Sequence, residues 1–144
     1  MTSGRAIWEK CVATRYLVDT SAWVLHFSKS SSFNLLSICP PEARVLCLPI
    51  YQELLQGIRE ESAYHSMSEI LDAADFVEEP LTRAVFREAV GLYRLARKQG
   101  ITIRSSVDCL IAACAIRHSL TVIHFDRDYP KIASISQLKQ QQIL

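Results

Sequence analysis

The sequence predicts an α/β fold with a largely parallel sheet, and three observations predict it. Short apolar, β-rich runs alternate along the chain with longer segments of helical periodicity. The runs close on acids or prolines that suit the start of a following helix. The length, 144 residues, has room for one domain and not two. With 49% hydrophobic residues, four glycines and five prolines, the chain can fill a core, which excludes a disordered or collagen-like protein.

Each element follows in order. Tyr16-Leu17-Val18 reads as a short buried strand, and Asp19, Thr20 and Ser21 behind it are each able to cap a helix beginning near Ala22. A weakly periodic stretch runs to Cys39, Pro40-Pro41 breaks it, and Arg44 to Leu48 forms a second strand. Pro49 suits the first turn of a helix carrying Ile50, Glu53, Leu54, Leu55 and Ile58. The next helix, Ser62 to Ala74, sets Met67, Ile70, Leu71 and Ala74 on one face, and Phe76-Val77 is a brief third strand. From Leu81 to Lys98, Ala84, Val85, Ala89, Leu92, Leu95 and Ala96 recur at near-helical spacing, with Gly100 in place for a C-terminal cap. Ser105 or Ser106 caps a helix from Val107 to His118 that is apolar nearly all round and so belongs against a sheet. Thr121 to Phe125 is β-rich and ends at Asp126. Residues 1–14 precede this scheme as an N-terminal extension, flexible or translated from an upstream start, and residues 15–144 make the domain.

The remaining composition narrows the function classes. The longest apolar run, Cys109 to Ile116, is far shorter than the roughly 20 residues that cross a bilayer, and the N-terminus lacks the apolar core of a secretory signal. Five cysteines without a CxxC pair fit free, buried thiols in a reducing cytoplasm. Sixteen basic against fifteen acidic residues leave a net charge of +1, but the charge is segregated. Residues 51–80 hold eight acids and one base, whereas residues 81–104 hold six bases and one acid. Arg83, Arg87, Arg94 and Lys98 fall on one side of the predicted helix, a ridge suited to phosphates. A solvated helix face explains that pattern equally well.

Four acids stand out by position. Asp19 follows the first strand, Glu53 sits in the first turn after the second, Asp108 is in the first turn of the buried helix, and Asp126 follows the last strong strand. In an open parallel sheet these places share one carboxyl edge, where ligands bind. Each acid alone has a plainer explanation as a cap, a dipole partner or a turn residue. As a set they repel, each close pair by about 4 kcal/mol near a protein surface, so they take up protons or hold cations. Oxygen-only ligands suit Mg²⁺ or Mn²⁺, and phosphodiester hydrolysis is the natural reaction of such a site.

The segments carrying these acids, Tyr16 to Val24, Glu53-Leu-Leu-Gln-Gly57, Gly100 to Ala113 and His124 to Ala133, resemble the PIN-domain ribonucleases, specifically the VapC toxins of bacterial toxin-antitoxin pairs. The resemblance covers roughly residues 15 to 135. It implies a three-layer sandwich with a central, mostly parallel sheet of four to five strands. It implies that Asp19, Glu53, Asp108 and Asp126 bind Mg²⁺ or Mn²⁺ and activate water for endonucleolytic hydrolysis of RNA, leaving a 3′-hydroxyl and a 5′-phosphate. Asp128 enters as an outer ligand, Ser21 lies near the metal, and Arg94, Arg97, Lys98 and Arg104 are candidates for holding RNA. A homodimer, neutralised by a small VapB-type antitoxin, is also implied. The chain departs from the family pattern in that Pro-Ile-Tyr-Gln precedes Glu53 and Tyr129-Pro130 stands in place of Phe-x.

Competing readings have less behind them. Cys114 and His118 are four apart on a helix, as zinc ligands can be, but no second pair matches them. No GxSxG element supports a serine nucleophile, and no phosphate-binding glycine loop is present. His124 reads as a packed, hydrogen-bonded residue and Trp23 as core. A structure-specific DNA nuclease of related fold and a PIN-like module that binds RNA or protein without cutting remain the alternatives.

Overall fold

A computed structural model describes residues 13–144. Most of the predicted extension therefore lies outside the described residues, as does Cys11, and the four other cysteines are free and buried. Strand β1 is Tyr16–Val18, and Asp19 then caps helix α1, Thr20–Phe27, two residues earlier than the sequence suggests. Two single-turn 3₁₀ segments, Leu35–Ser37 and Pro41–Ala43, lead into β2, Arg44–Leu46. The strand ends at Leu46, Cys47 holds the N-cap position, and Pro49 sits at the start of α2, Leu48–Gln56, so Leu48, expected in the strand, opens the helix and Ile58 lies beyond it. Helix α3 is Glu61–Asp72, β3 is Asp75–Phe76, and α4 is Arg83–Lys98. Helix α5 spans Ser106–Arg117, with the Ser105 hydroxyl accepting from the Asp108 amide, and β4 is Thr121–His124.

Two elements follow that periodicity does not reveal, α6 over Asp128–Ser134 and β5 over Lys139–Gln142. The five strands form one sheet in the order β3-β2-β1-β4-β5, and every pairing is parallel. Right-handed crossovers in a sheet of this order place α1 to α3 on one face and α4 to α6 on the other. Within each layer the packing agrees, with α4, α5 and α6 contacting one another and α2 touching α1 and α3; α2 and α5 also meet across the layers. The predicted three-layer sandwich is present, with five strands.

The core lies between the layers. Leu17, Val122 and Ile123 of the sheet, Ile50 of α2 and Ile111 and Ala112 of α5 are fully buried. Helix α5 is buried nearly all round, as its composition demands. In α4 the buried face is Val85, Ala89 and Ala96, with Leu92 half-buried. Leu95, expected on that face, is 41% exposed and Ala84 is exposed too, because each lies one residue, about 100° of helix rotation, off the stripe. Ile70 of α3, also expected inside, is 58% exposed, whereas its neighbour Leu71 takes the core position.

Candidate active site

β1 and β4 are neighbours in the sheet although most of the chain separates them, so chain order reverses between them. At such a point the loops leaving adjacent strands diverge and open a crevice at the carboxyl edge. Asp19 leaves β1 there, its amide donating to Ile123 O at 2.9 Å. Asp126 follows β4 on the other side, its amide donating to His124 Nδ1 at 3.1 Å. Helix α2 brings Glu53, from its second turn rather than the expected first because the helix already starts at Leu48, and the first turn of α5 brings Asp108. These four acids line a single cleft of about 440 Å³, together with Ser21 and Ser105. Thr20, Val24, Leu25 and Phe125 complete its wall, and Phe125 is 46% exposed.

Each acid is held by neighbours that the fold supplies. Asp19 Oδ2 accepts from the Ser21 amide at 3.0 Å and from the Ser21 hydroxyl. Ser21 Oγ also accepts from the Phe125 amide at 2.9 Å, which ties the start of α1 to the loop after β4. Asp126 Oδ1 accepts from the Asp128 amide at 2.9 Å and so fixes the entry to α6. Asp128 is buried outside the cleft lining, where its Oδ2 accepts from the amides of Arg104 at 3.0 Å and Ser105 at 3.2 Å. It thus anchors the loop that leads into α5. Carboxylate oxygens of Asp108, Asp126 and Asp128 nonetheless lie within 4.8 Å of one another. The cleft and this closer trio share Asp108 and Asp126.

The electrostatics follow from that crowding. Burial first, and then the charges of Asp126, Asp19, Asp128 and Glu53, push the Asp108 carboxyl up to about 8. Glu53 is raised by burial and by Asp19 and Asp126. The Tyr129 hydroxyl, fully buried, donates to Asp19 Oδ1 at 2.7 Å, and burial and the adjoining carboxylates hold it protonated. Two carboxylate oxygens, Asp108 Oδ2 and Asp128 Oδ1, are buried with no hydrogen-bond partner, although Lys131 Nζ stands 3.8 Å from the latter. Asp108 Oδ2, buried, unpartnered and set among other acids, is a donor that a hard divalent cation satisfies.

The other candidates fall elsewhere. Arg94, Arg97 and Lys98 are exposed in the last turns of α4 and line no part of the cleft, and the Arg97 guanidinium lies 5.6 Å over the Tyr93 ring. The Arg104 amide serves the Asp128 contact, while its side chain borders a larger groove of about 590 Å³ between α4 and α5. That groove contains no carboxylate, so its size says nothing about the chemistry. Cys114 is fully buried and His118 binds Glu78 at 3.0 Å, so the two do not form a zinc pair. His124 is buried, accepts at Nδ1 and donates from Nε2 to Gln140 Oε1 at 2.6 Å, the packed role expected of it. Tyr129 is the site residue that pattern reasoning overlooks. The sequence marks it only as a tyrosine where the pattern of the resembled family has phenylalanine.

Comparison with known proteins agrees with this architecture. The PIN domain family model matches residues 16–135. The chain belongs to the PIN-domain family. Among curated PIN proteins, Ribonuclease VapC11 of Mycobacterium tuberculosis is 36% identical over 129 residues, covering 85% of this chain and 95% of that protein. Ribonuclease VapC51 of the same species is 29% identical over 126 residues, covering 87% and 90%. The PIN fold also aligns with the crystal structure of VapBC2 from Rickettsia felis bound to a DNA fragment from their promoter. The TM-score is 0.68 at 16% identity, covering 91% of this chain and 100% of that one. VapBC-5 from M. tuberculosis gives a TM-score of 0.64 at 17% identity, with the same coverage. At these identities the solved structures bear on the fold alone. Among the described residues of this PIN domain, no helix is long and apolar enough to cross a membrane.

Proposed function

We propose that this PIN domain, residues 15–144, is the toxin of a type II toxin-antitoxin system, a cytoplasmic endoribonuclease dependent on Mg²⁺ or Mn²⁺. The observation that carries the reading is Asp108 Oδ2, a buried oxygen that no protein group satisfies, in a cleft that gathers four acids from distant parts of the chain. Asp19, Glu53, Asp108 and Asp126 would hold the ion, with Asp128 supporting from the α6 side. A bound divalent ion supplies an activated water as nucleophile and neutralises charge on the phosphate. The protein's own share is to fix the acids, through Ser21 on Asp19 and the Arg104 and Ser105 amides on Asp128, and to place the substrate. Exposed Phe125 beside Asp126 offers a ring for an unpaired base, which favours a single-stranded or looped RNA. Arg94, Arg97, Lys98 and Arg104 would contact the RNA backbone farther from the cleft.

Two apolar surfaces support partners. Val24, at the cleft wall, is 60% exposed, and Phe27 and Leu36 are 53% and 54% exposed at the end of α1 and in the turn after it. A VapB-type antitoxin laid along α1 would cover them and close the cleft. Phe86 and Val90 of α4 are 48% and 57% exposed beside the α4–α5 groove, a surface suited to a second copy of the chain. Both relatives named above carry ribonuclease in their names, which agrees with the substrate class.

The test is cleavage of mixed cellular RNA by the antitoxin-free protein with Mn²⁺, read by sequencing of 5′ ends. Cleavage is expected, lost with chelator and in Asp19→Asn, whose asparagine still caps α1. No cleavage of any RNA by the metal-loaded protein contradicts the proposal. Activity on flapped DNA alone would assign the DNA nuclease instead.

A further inference from the structure

Tyr129 sits in the first turn of α6 with its ring fully buried. A phenylalanine would fill the same space, so the hydroxyl needs its own explanation. A buried hydroxyl is costly unless bonded, and the partners it finds here are the acids themselves. It donates to Asp19 Oδ1 at 2.7 Å and stands 3.4 Å from Asp108 Oδ1. One hydroxyl hydrogen therefore lies between two carboxylates that arrive from the end of β1 and the start of α5.

The surroundings give the hydroxyl little freedom. The Tyr129 ring packs against His124 with centroids 4.8 Å apart. His124 is in turn fixed by Gln140 at 2.6 Å and by the Asp126 amide at 3.1 Å. The remaining oxygens divide clearly. Asp19 Oδ2 is occupied by Ser21, whereas Asp108 Oδ2 has no protein partner. We propose that Tyr129 is a positioning residue of the carboxylate site: its hydroxyl clamps the Oδ1 atoms of Asp19 and Asp108 and leaves Asp108 Oδ2 for a divalent cation. Outer partners of this kind set the orientation of metal-binding carboxylates, and losing one typically weakens metal binding by about 10- to 100-fold.

The inference rests on the proposed cation site, and the experiment separates the two. The full-length chain and Tyr129→Phe are titrated with Mn²⁺, free ion being read by electron paramagnetic resonance and folding by circular dichroism. The expected result is binding by the wild type and affinity weaker by about tenfold in a folded Tyr129→Phe. Affinities within about twofold of each other overturn the role of Tyr129 alone, because a hydroxyl that merely stabilises the fold lowers the melting temperature and not the affinity. No binding by the wild type overturns the cation site itself. A crystal structure of the Mg²⁺-loaded wild type tests the clamp without any variant. Tyr129 Oη still within hydrogen-bond reach of Asp19 Oδ1 supports it, and a hydroxyl turned away from both acids overturns it.

Discussion

Asp108 is 7% exposed, has four other acids around it, and offers one oxygen that no protein group satisfies. Its carboxyl is raised by burial and those charges to about 8, from an ordinary 3.8. The folded protein therefore keeps a proton that the unfolded chain gives up. Asp108 contributes this stability in full below about pH 4 and loses it as pH rises through about 8. Metal-free protein should accordingly melt at progressively lower temperature between about pH 5 and pH 8.5, and Asp108→Asn should flatten that decline. Saturating Mg²⁺ should raise the melting temperature more at the alkaline end, because cation and proton compete for the same oxygens. Thermal melts with chelator and with Mg²⁺ across this range check it, and a metal increment independent of pH would contradict it. Asp19 and Asp108 were legible in the sequence because a charge set among strongly apolar residues needs a reason. Tyr129 was not, since an aromatic residue in a helix turn reads as core whether or not it carries a hydroxyl.

Among the elements, legibility followed apolar periodicity. Helices α4 and α5 announce themselves by the spacing of Val85, Ala89, Leu92 and Ala96 and by the unbroken run from Cys109 to Ile116. Strand β5 is invisible to the same reading because Lys139–Gln142 carries no apolar residue. It is an edge strand, held by buried Leu138 and Ile143 at its ends, by the ladder to β4, and by Gln140. Gln140 Oε1 is the acceptor for His124 Nε2, and His124 is fully buried. Gln140→Ala leaves that N–H without its partner, which costs about 1–3 kcal/mol. Urea unfolding measures the loss. A change under about 0.5 kcal/mol would mean that water reaches the ring and that β5 is not pinned there. Helix α6 is missed for another reason. It is short, Pro130 interrupts its pattern, and its entry depends on the Asp126 side chain rather than on an apolar stripe.

At the scale of the molecule, the strand order does what no local pattern expresses. By setting β1 beside β4, it brings the ends of two strands distant in sequence to one crevice, and α2 and α5 add an acid each from opposite faces of the sheet. The predicted carboxyl edge was sound because it needs only parallel strands. The placement of Asp128 behind the cleft, and of Arg94, Arg97 and Lys98 outside its lining, depends on how the helices pack, which motif and periodicity do not reveal. The segregation of charge has a partial structural counterpart: the basic residues of α4 belong to the face opposite α2 and α3, which carry four of the eight acids of residues 51–80. The claim that joins these scales is that the converging carboxylates hold a divalent cation. An anomalous difference map from crystals grown with Mn²⁺ tests it most directly. A strong peak in contact with Asp108 and at least one of Asp19, Glu53 and Asp126 is the predicted result, and a map with no peak in the cleft at saturating Mn²⁺ near pH 8 would contradict it.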